Sequence, residues 1–481
     1  MEPKAKAAHG YLKNFLVRLL LIGLLLFGTR FAYQVTIAGE ACNLGNFCFF
    51  SLGDGFISAS PSSSKDSSII LPTRDWSNAV QFYSSIFRDH VLEGYLSPSS
   101  KSVCVESLIG HEVLAMREIG VSDSVGFSVK SFAPLVIKYR KPFLSQLSNY
   151  SVDFIFSGGL SSVPSLGDLA LEINRVLKPK SHLVLHVTPT DEYGFNSLLE
   201  LFPSFHFIKS REFPGYNSSS LVQEIVLSKE DNNSNKKERK SDSSTCFTPR
   251  HKMKLIEQSE ALILEEPLKP WLTLKRNIKN IKYLPSMADI SYKNRYTYID
   301  VGSRSYVSSI GSWFKKQYPK QNKTFAVYAI EADKAFHSDY TSRRGVTLIP
   351  HAAWVRNEML SFEGSEKGKG MGRIRKGGGS GGESEEILGF DFAEWVKSIA
   401  DEKDLVVMKM DVEGAEFELI PRMIDSGAIC LIDEMFLECH YNRWQRCCPG
   451  ERSPKYNRTY ADCIRLFTSL RSSGVLVHQW W

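Results

Sequence analysis

No CxxC element occurs anywhere in the 481 residues, which argues against a structural zinc site. No full G-x-G-x-x-G turn joins a strand-like run to a helix-like one, which disfavours a nicotinamide-dependent oxidoreductase. Charge of one sign is also scarce in excess: 59 Lys and Arg against 53 Asp and Glu leave +6. Much of that surplus falls in two stretches, Lys229–Lys254 and Lys367–Lys376, and no basic stripe is interleaved with aromatics. Nucleic acid is therefore not an expected partner. The nine cysteines show no framework spacing. Cys104 and Cys430 sit in or beside apolar runs and read as small buried hydrophobes. Cys439, Cys447, Cys448 and Cys463 gather near the C-terminus, where one or two disulfides form if this half faces an oxidising lumen. Their connectivity stays open.

What is present begins with an apolar N-terminal segment. Phe15–Gly28 carries one charge, Arg18, and extension to Tyr33 brings the segment near the roughly 20 residues that a bilayer core requires. Lys4, Lys6, Lys13 and Arg18 are concentrated at its start, and Arg30 lies near its end. That bias predicts a membrane helix over Phe15–Tyr33 with a cytosolic N-terminus, a single-pass type II protein of the Golgi or endoplasmic reticulum. A cleaved signal peptide, with Ala38, Gly39 and Ala41 as cleavage candidates, and an organelle presequence are the competing readings. Sequons at Asn149, Asn217, Asn232, Asn322 and Asn457 fit a lumenal domain.

The rest divides by composition. Residues 1–34 are the tail and anchor, and 35–75 a Ser- and Gly-rich stem. A first folded unit spans 76–229, followed by 230–291: a polar linker and a bridging stretch, 253–290, predicted to be helical. A second unit spans 292–481. Both folded units alternate short apolar runs with amphipathic stretches, which predicts α/β architecture: two Rossmann-like, doubly wound domains with parallel sheets. Gly364–Glu385 is a Gly/Lys-rich insertion in the second unit.

Two segments carry chemistry. In YIDVGSR, Tyr298–Arg304, a strand ends at Asp300 and Gly302 makes the turn, where a backbone can approach a nucleotide closely. A second strand ends thirty-one residues later at Glu331, where a carboxylate can accept both hydroxyls of a ribose. In MKMDVEGAEFELI, Met408–Ile420, a strand delivers Asp411 to the same sheet edge, with Glu413 and Gly414 in the turn and Glu416 entering a helix. Asp411, Glu413 and His440 are the candidate bases for a hydroxyl acceptor. A carboxylate pair such as Asp411 and Glu413 is also able to hold a divalent cation, though the pattern alone assigns no metal ligands.

The second segment resembles the K-x-D-x-E-G-x-E signature of FkbM-type methyltransferases. Asp300 with Gly302, Glu331 in AIEAD, Trp395 in DFAEWV and Lys409–Glu416 all follow that family's order over roughly residues 292–445. The whole chain resembles a plant membrane-anchored group that carries such a domain. The resemblance implies a class I methyltransferase fold with S-adenosylmethionine as cofactor. It places Asp300 and Gly302 at the methionine end and Glu331 on the ribose, with Asp411 and Glu413 facing the reacting centre. It further implies O-methylation of a small-molecule or glycan acceptor. Tyr306 stands where the family usually has a second glycine, and Arg304 where a small or amide residue is usual. If those two side chains fill the pocket, the chain is instead an inactive methyltransferase-like scaffold. The first unit resembles type 11 methyltransferases through VLKPKSHLVLHV and VDFIFSGG, but its second strand ends at Ser128 without an acid. That pattern implies a degenerate domain. Oligomeric state is open.

Overall fold

A computed structural model describes residues 74–480, apart from 140–142, 161–162, 164, 218–219, 232–245, 247, 270–277, 364–371, 375–384, 446–447 and 449. The expected anchor Phe15–Tyr33 and the stem up to residue 73 lie outside the described residues. No described helix is long and apolar enough to cross a membrane.

Two α/β sheets follow one another along the chain. In the first, strands β1 (Ser102–Val105), β2 (Ser124–Ser128), β3 (Val136–Lys138), β4 (Val152–Ser157) and β5 (Leu177–Val187) run parallel. β6 (Phe205–Pro214) and β7 (Leu221–Lys229) close the edge in the order β3-β2-β1-β4-β5-β7-β6, with β7 antiparallel to both neighbours. β6 and β7 thus form an antiparallel pair at the edge of an otherwise parallel sheet. β1 is buried at every position, as a strand covered by helices on both faces should be.

The second sheet is wholly parallel. It contains β8 (Tyr296–Val301), β9 (Ala326–Ile330), β10 (Val346–Ile349), β15 (Leu405–Met410), β16 (Glu434–Leu437) and β17 (Leu476–Gln479), in the order β10-β9-β8-β15-β16-β17. Side chains alternate between two cores along each strand. Ile299, Val301, Met408 and Met410 pack on one side, and Tyr298, Leu405, Val407 and Phe436 on the other. The chain runs from β8 to β9 and β10 on one side, then returns beyond β8 to β15. The order therefore reverses between β8 and β15, where open α/β sheets bind their ligands.

Three features depart from the sequence expectation. The insertion region contributes to a separate four-stranded sheet: β11 (Ala352–Trp354), β12 (Glu358–Glu363), β13 (Arg373–Ile374) and β14 (Glu385–Asp391), ordered β11-β14-β12-β13. The bridging stretch 253–290 is not a continuous helix. Its described part holds the end of an α-helix over Arg250–Gln258, a 3-10 turn at Ile278–Asn280 and a short helix at Leu284–Met287. Pro267 opposes a helix through the stretch after Gln258, since it lacks an amide donor and clashes with the preceding turn. Cys430 is not a free core thiol: it is disulfide-bonded to Cys246, on the far side of 184 residues. Cys104 is buried and free, as expected.

The bridging stretch is held to the second sheet by a buried charge relay. His478 on β17 pairs through Nδ1 with Glu260 and through Nε2 with Glu434 at 3.0 Å. Glu434 also accepts from the amide of Leu284 at 2.9 Å and from the Tyr318 hydroxyl. Burial works against a charge on His478, but hydrogen bonds and Coulombic attraction from Glu260 and Glu434 outweigh it and raise its pKa to about 9. A group with a raised folded-state value stabilises fully below its unfolded value of about 6.5 and loses that contribution as pH rises through about 9. The melting temperature is expected to fall between pH 7 and 9.5, and the His478→Gln variant to be flat over that window. An equally steep fall in the variant would assign the effect elsewhere.

Candidate functional site

The carboxyl ends of β8, β9 and β15 surround a crevice. Gly302, just past β8, has φ of +75° and sits against the exit of β15. A Cβ there would lie 1.8 Å from the carbonyl oxygen of Asp411, so both the conformation and the space require glycine. The amides of Gly302 and Ser303 donate to the Ile330 carbonyl at 2.9 and 3.1 Å, which draws the loop over the end of β9. The carboxylate of Glu331 then receives two backbone amides, from Arg304 at 2.6 Å and from Asp333 at 2.7 Å. Burial raises the Glu331 carboxyl to about 7, and the two amides pull the other way.

Gly302, Arg304, Glu331, Asp333, Phe336 and Asp411 are among the residues lining a cavity of about 120 Å³. Ligand pockets for drug-sized molecules usually hold roughly 300–1,000 Å³. Arg304 is exposed at the rim, with its guanidinium 5.9 Å from the centre of the Phe336 ring. Tyr306 does not line the cavity. Its ring folds back onto Gly311, where an added Cβ would meet it at 2.7 Å, and Arg343 stacks over its outer face at 4.4 Å. The helix after this turn, Val307–Phe314, is π-helical, and the Gly311 amide reaches the Tyr306 carbonyl at 2.8 Å.

Asp300 lies beneath the crevice rather than in its wall, fully buried. One oxygen accepts from Tyr298 Oη at 3.1 Å and from the Ser309 hydroxyl. The other has no hydrogen bond and faces Lys409 Nζ at 3.9 Å. Burial raises this carboxyl, and the Lys409 charge opposes the rise.

Beyond Asp411 the crevice meets a wider cavity of about 630 Å³, lined by Arg373, Glu413, His440, Lys455 and Tyr456 among others. Here the structure brings together the three residues expected as bases. His440 Nε2 is 3.6 Å from Asp411 Oδ1 and 3.8 Å from Glu413 Oε2. Glu438, at the exit of β16, contributes Oε1 at 4.0 Å. Glu416 anchors the ring from behind: its Oε1 accepts from the His440 amide at 2.7 Å and lies 3.2 Å from Nδ1. Burial disfavours a charge on His440, but Glu416, Asp411 and Glu438 outweigh it and raise it to about 10. Burial, reinforced by Asp411, raises Glu438 to about 7. Glu413 is held by Lys455 Nζ at 2.6 Å and by the Tyr456 hydroxyl. The Cys439–Cys463 disulfide ties the residue before His440 to the helix Tyr460–Ser472.

Sequence reasoning missed Glu438, Lys455 and Tyr456 as members of this site. Glu438 carried a signal, since it ends a strand as Asp411 and Glu331 do. Lys455 and Tyr456 come from a loop with no motif.

A family model described as a domain of unknown function (DUF7870) matches residues 256–363 and 374–481. No curated protein matches the chain in sequence. Among solved structures, the chain is similar to an S-adenosylmethionine-dependent methyltransferase from Aquifex aeolicus, with 15% identity and a TM-score of 0.26 over 31% of this chain and 92% of that one. It is also similar to the 1,6-didemethyltoxoflavin-N1-methyltransferase of Burkholderia thailandensis, with 13% identity and a TM-score of 0.25 over 32% and 79%.

Proposed function

We propose that the second sheet binds S-adenosylmethionine and that the chain is an O-methyltransferase of FkbM type acting on a hydroxyl of a small molecule or glycan. The observation that carries this reading is that Gly302, Glu331 and Asp411, from three different strand ends, line one crevice at the switch point. The donor set fits the cofactor. Glu331 and Asp333 offer carboxylates to ribose hydroxyls, and Phe336 offers an apolar face to an adenine ring. S-adenosylmethionine supplies an electrophilic methyl group on a sulfonium.

The protein's own part is to position and to take a proton. Asp411 and Glu413 face the place where an acceptor would lie, between the crevice and the wider cavity. Glu438, raised to about 7 by burial, is matched to receive the hydroxyl proton near neutral pH. With no cation in the cluster, His440 is held protonated by its carboxylates and balances their charge rather than acting as the base. For the compartment, the Cys246–Cys430 and Cys439–Cys463 disulfides favour an oxidising lumen, in keeping with a type II anchor over Phe15–Tyr33 in the Golgi or endoplasmic reticulum. The first sheet we take to be a degenerate methyltransferase-like domain kept for structure.

A second reading has its own support. Both oxygens of Glu331 are already engaged by backbone amides, and the crevice is small; a scaffold that binds no cofactor would look the same. Calorimetric titration of the full chain with S-adenosylmethionine and S-adenosylhomocysteine separates the two. Binding heat together with a rise in melting temperature is expected. Absence of both would leave the scaffold.

A further inference from the structure

We propose that Asp411 Oδ1, Glu413 Oε2 and His440 Nε2 bind a divalent cation at the junction of the crevice and the wider cavity. Three side chains from two strand-end loops place one donor atom each within 4.8 Å of the other two. Donors held at about 2.1 Å around one ion lie roughly 3–4 Å apart, and the separations from Nε2 here are 3.6 and 3.8 Å.

The imidazole supplies an observation independent of the carboxylates. His440 is only 9% exposed, yet Nε2 has no hydrogen bond and points into the cluster. Its other nitrogen, Nδ1, lies against Glu416, which also holds the His440 amide. A carboxylate behind an imidazole whose far nitrogen faces two further carboxylates is the arrangement that orients histidine for a metal. Glu413 Oε2 also accepts from Lys455 Nζ and from the Tyr456 hydroxyl, contacts that an ion at that oxygen would displace. A cation would take the place of the Nε2 proton.

Charge favours the same occupant. Five carboxyl groups, Asp300, Asp411, Glu413, Glu416 and Glu438, meet two lysines here, Lys409 and Lys455. A divalent ion bound to a neutral imidazole would offset much of that acidic excess. One imidazole among carboxylates suits Mn²⁺ or Mg²⁺ better than a thiolate-seeking metal. The adjoining 630 Å³ cavity leaves room for further oxygen ligands, water or an acceptor hydroxyl. The role of activating that hydroxyl rests on the methyl-transfer reading; the existence of the site does not.

The test uses Mn²⁺ alone on the full chain, followed by loss of the free-ion electron paramagnetic resonance signal. Saturable binding of one ion is expected. Asp411→Asn and His440→Gln should each weaken it at least tenfold, and Glu416→Gln, acting through the ring, about ten- to a hundredfold. Pulsed spectra of the wild-type complex should show modulation from one imidazole nitrogen, a readout that does not depend on the variants folding. No Mn²⁺ binding by wild type, no nitrogen modulation, or equal binding by folded variants would each overturn the site. If S-adenosylmethionine binds and Mn²⁺ does not, only this proposal fails. If Mn²⁺ binds and S-adenosylmethionine does not, the site stands and methyl transfer falls.

Discussion

Glu331→Ala is expected to lower the affinity for S-adenosylmethionine at least about 100-fold. Hydrogen bonds to a charged acceptor contribute about 1.5–3 kcal/mol each, and two ribose hydroxyls would share this carboxylate. The wild-type affinity should also depend on pH. Burial holds the carboxyl near 7, so affinity should rise from pH 6 to pH 8 as the acceptor ionises, then level off. Stability of the ligand-free fold runs the other way. A raised carboxyl stabilises fully below its unfolded value of about 4.3 and loses that contribution as pH climbs through 7. Glu331→Gln keeps an acceptor for the Arg304 or Asp333 amide but should abolish the pH dependence. Titrations at pH 6, 7 and 8 decide the matter, and an Ala variant that binds as tightly as wild type would remove Glu331 from the site.

Gly302→Ala should be the most destabilising single methyl in the second sheet. A residue other than glycine at φ of +75° costs about 1–3 kcal/mol, and overpacking adds about 1–3 kcal/mol more. The atom it meets is the Asp411 carbonyl, which no rotamer change can move aside. A loss of about 3 kcal/mol or more corresponds to a fall of roughly 6–12 °C in melting temperature. Gly345→Ala is the matched control, because that glycine has φ of +73° with nothing within 4 Å of the added atom. It should show the conformational cost alone. If the two variants melt together, the close approach of the β8 and β15 loops is not what glycine serves.

Much of this arrangement was legible in the residues. TYIDV and LVVMKM are short, mostly apolar runs with a carboxylate at or just past the end, Asp300 and Asp411, and a strand buried on both faces leaves little other choice. Gly302 was readable because a tight turn after a strand requires it. Asp300 stands at the expected strand end, and alternation along β8 turns its side chain under the crevice with Tyr298 and Lys409, which the residues alone did not reveal. Tyr306 raised the opposite problem. It threatened the pocket from its position in the turn, and only the widened helix and the bare face of Gly311 show where its ring goes. Other features have no local signature. The four-stranded sheet is built from short pieces on both sides of a Gly/Lys-rich insertion. Tyr456 and Lys455 reach Glu413 across more than forty residues.

The Cys246–Cys430 bond has a consequence for handling the protein. It closes a loop that contains the whole insertion Gly364–Glu385. A chain nicked by a protease anywhere in that insertion would carry β8 and β9 on one fragment and β15 and β16 on the other. The fragments would remain one covalent species, migrating as intact protein until a reductant separated them.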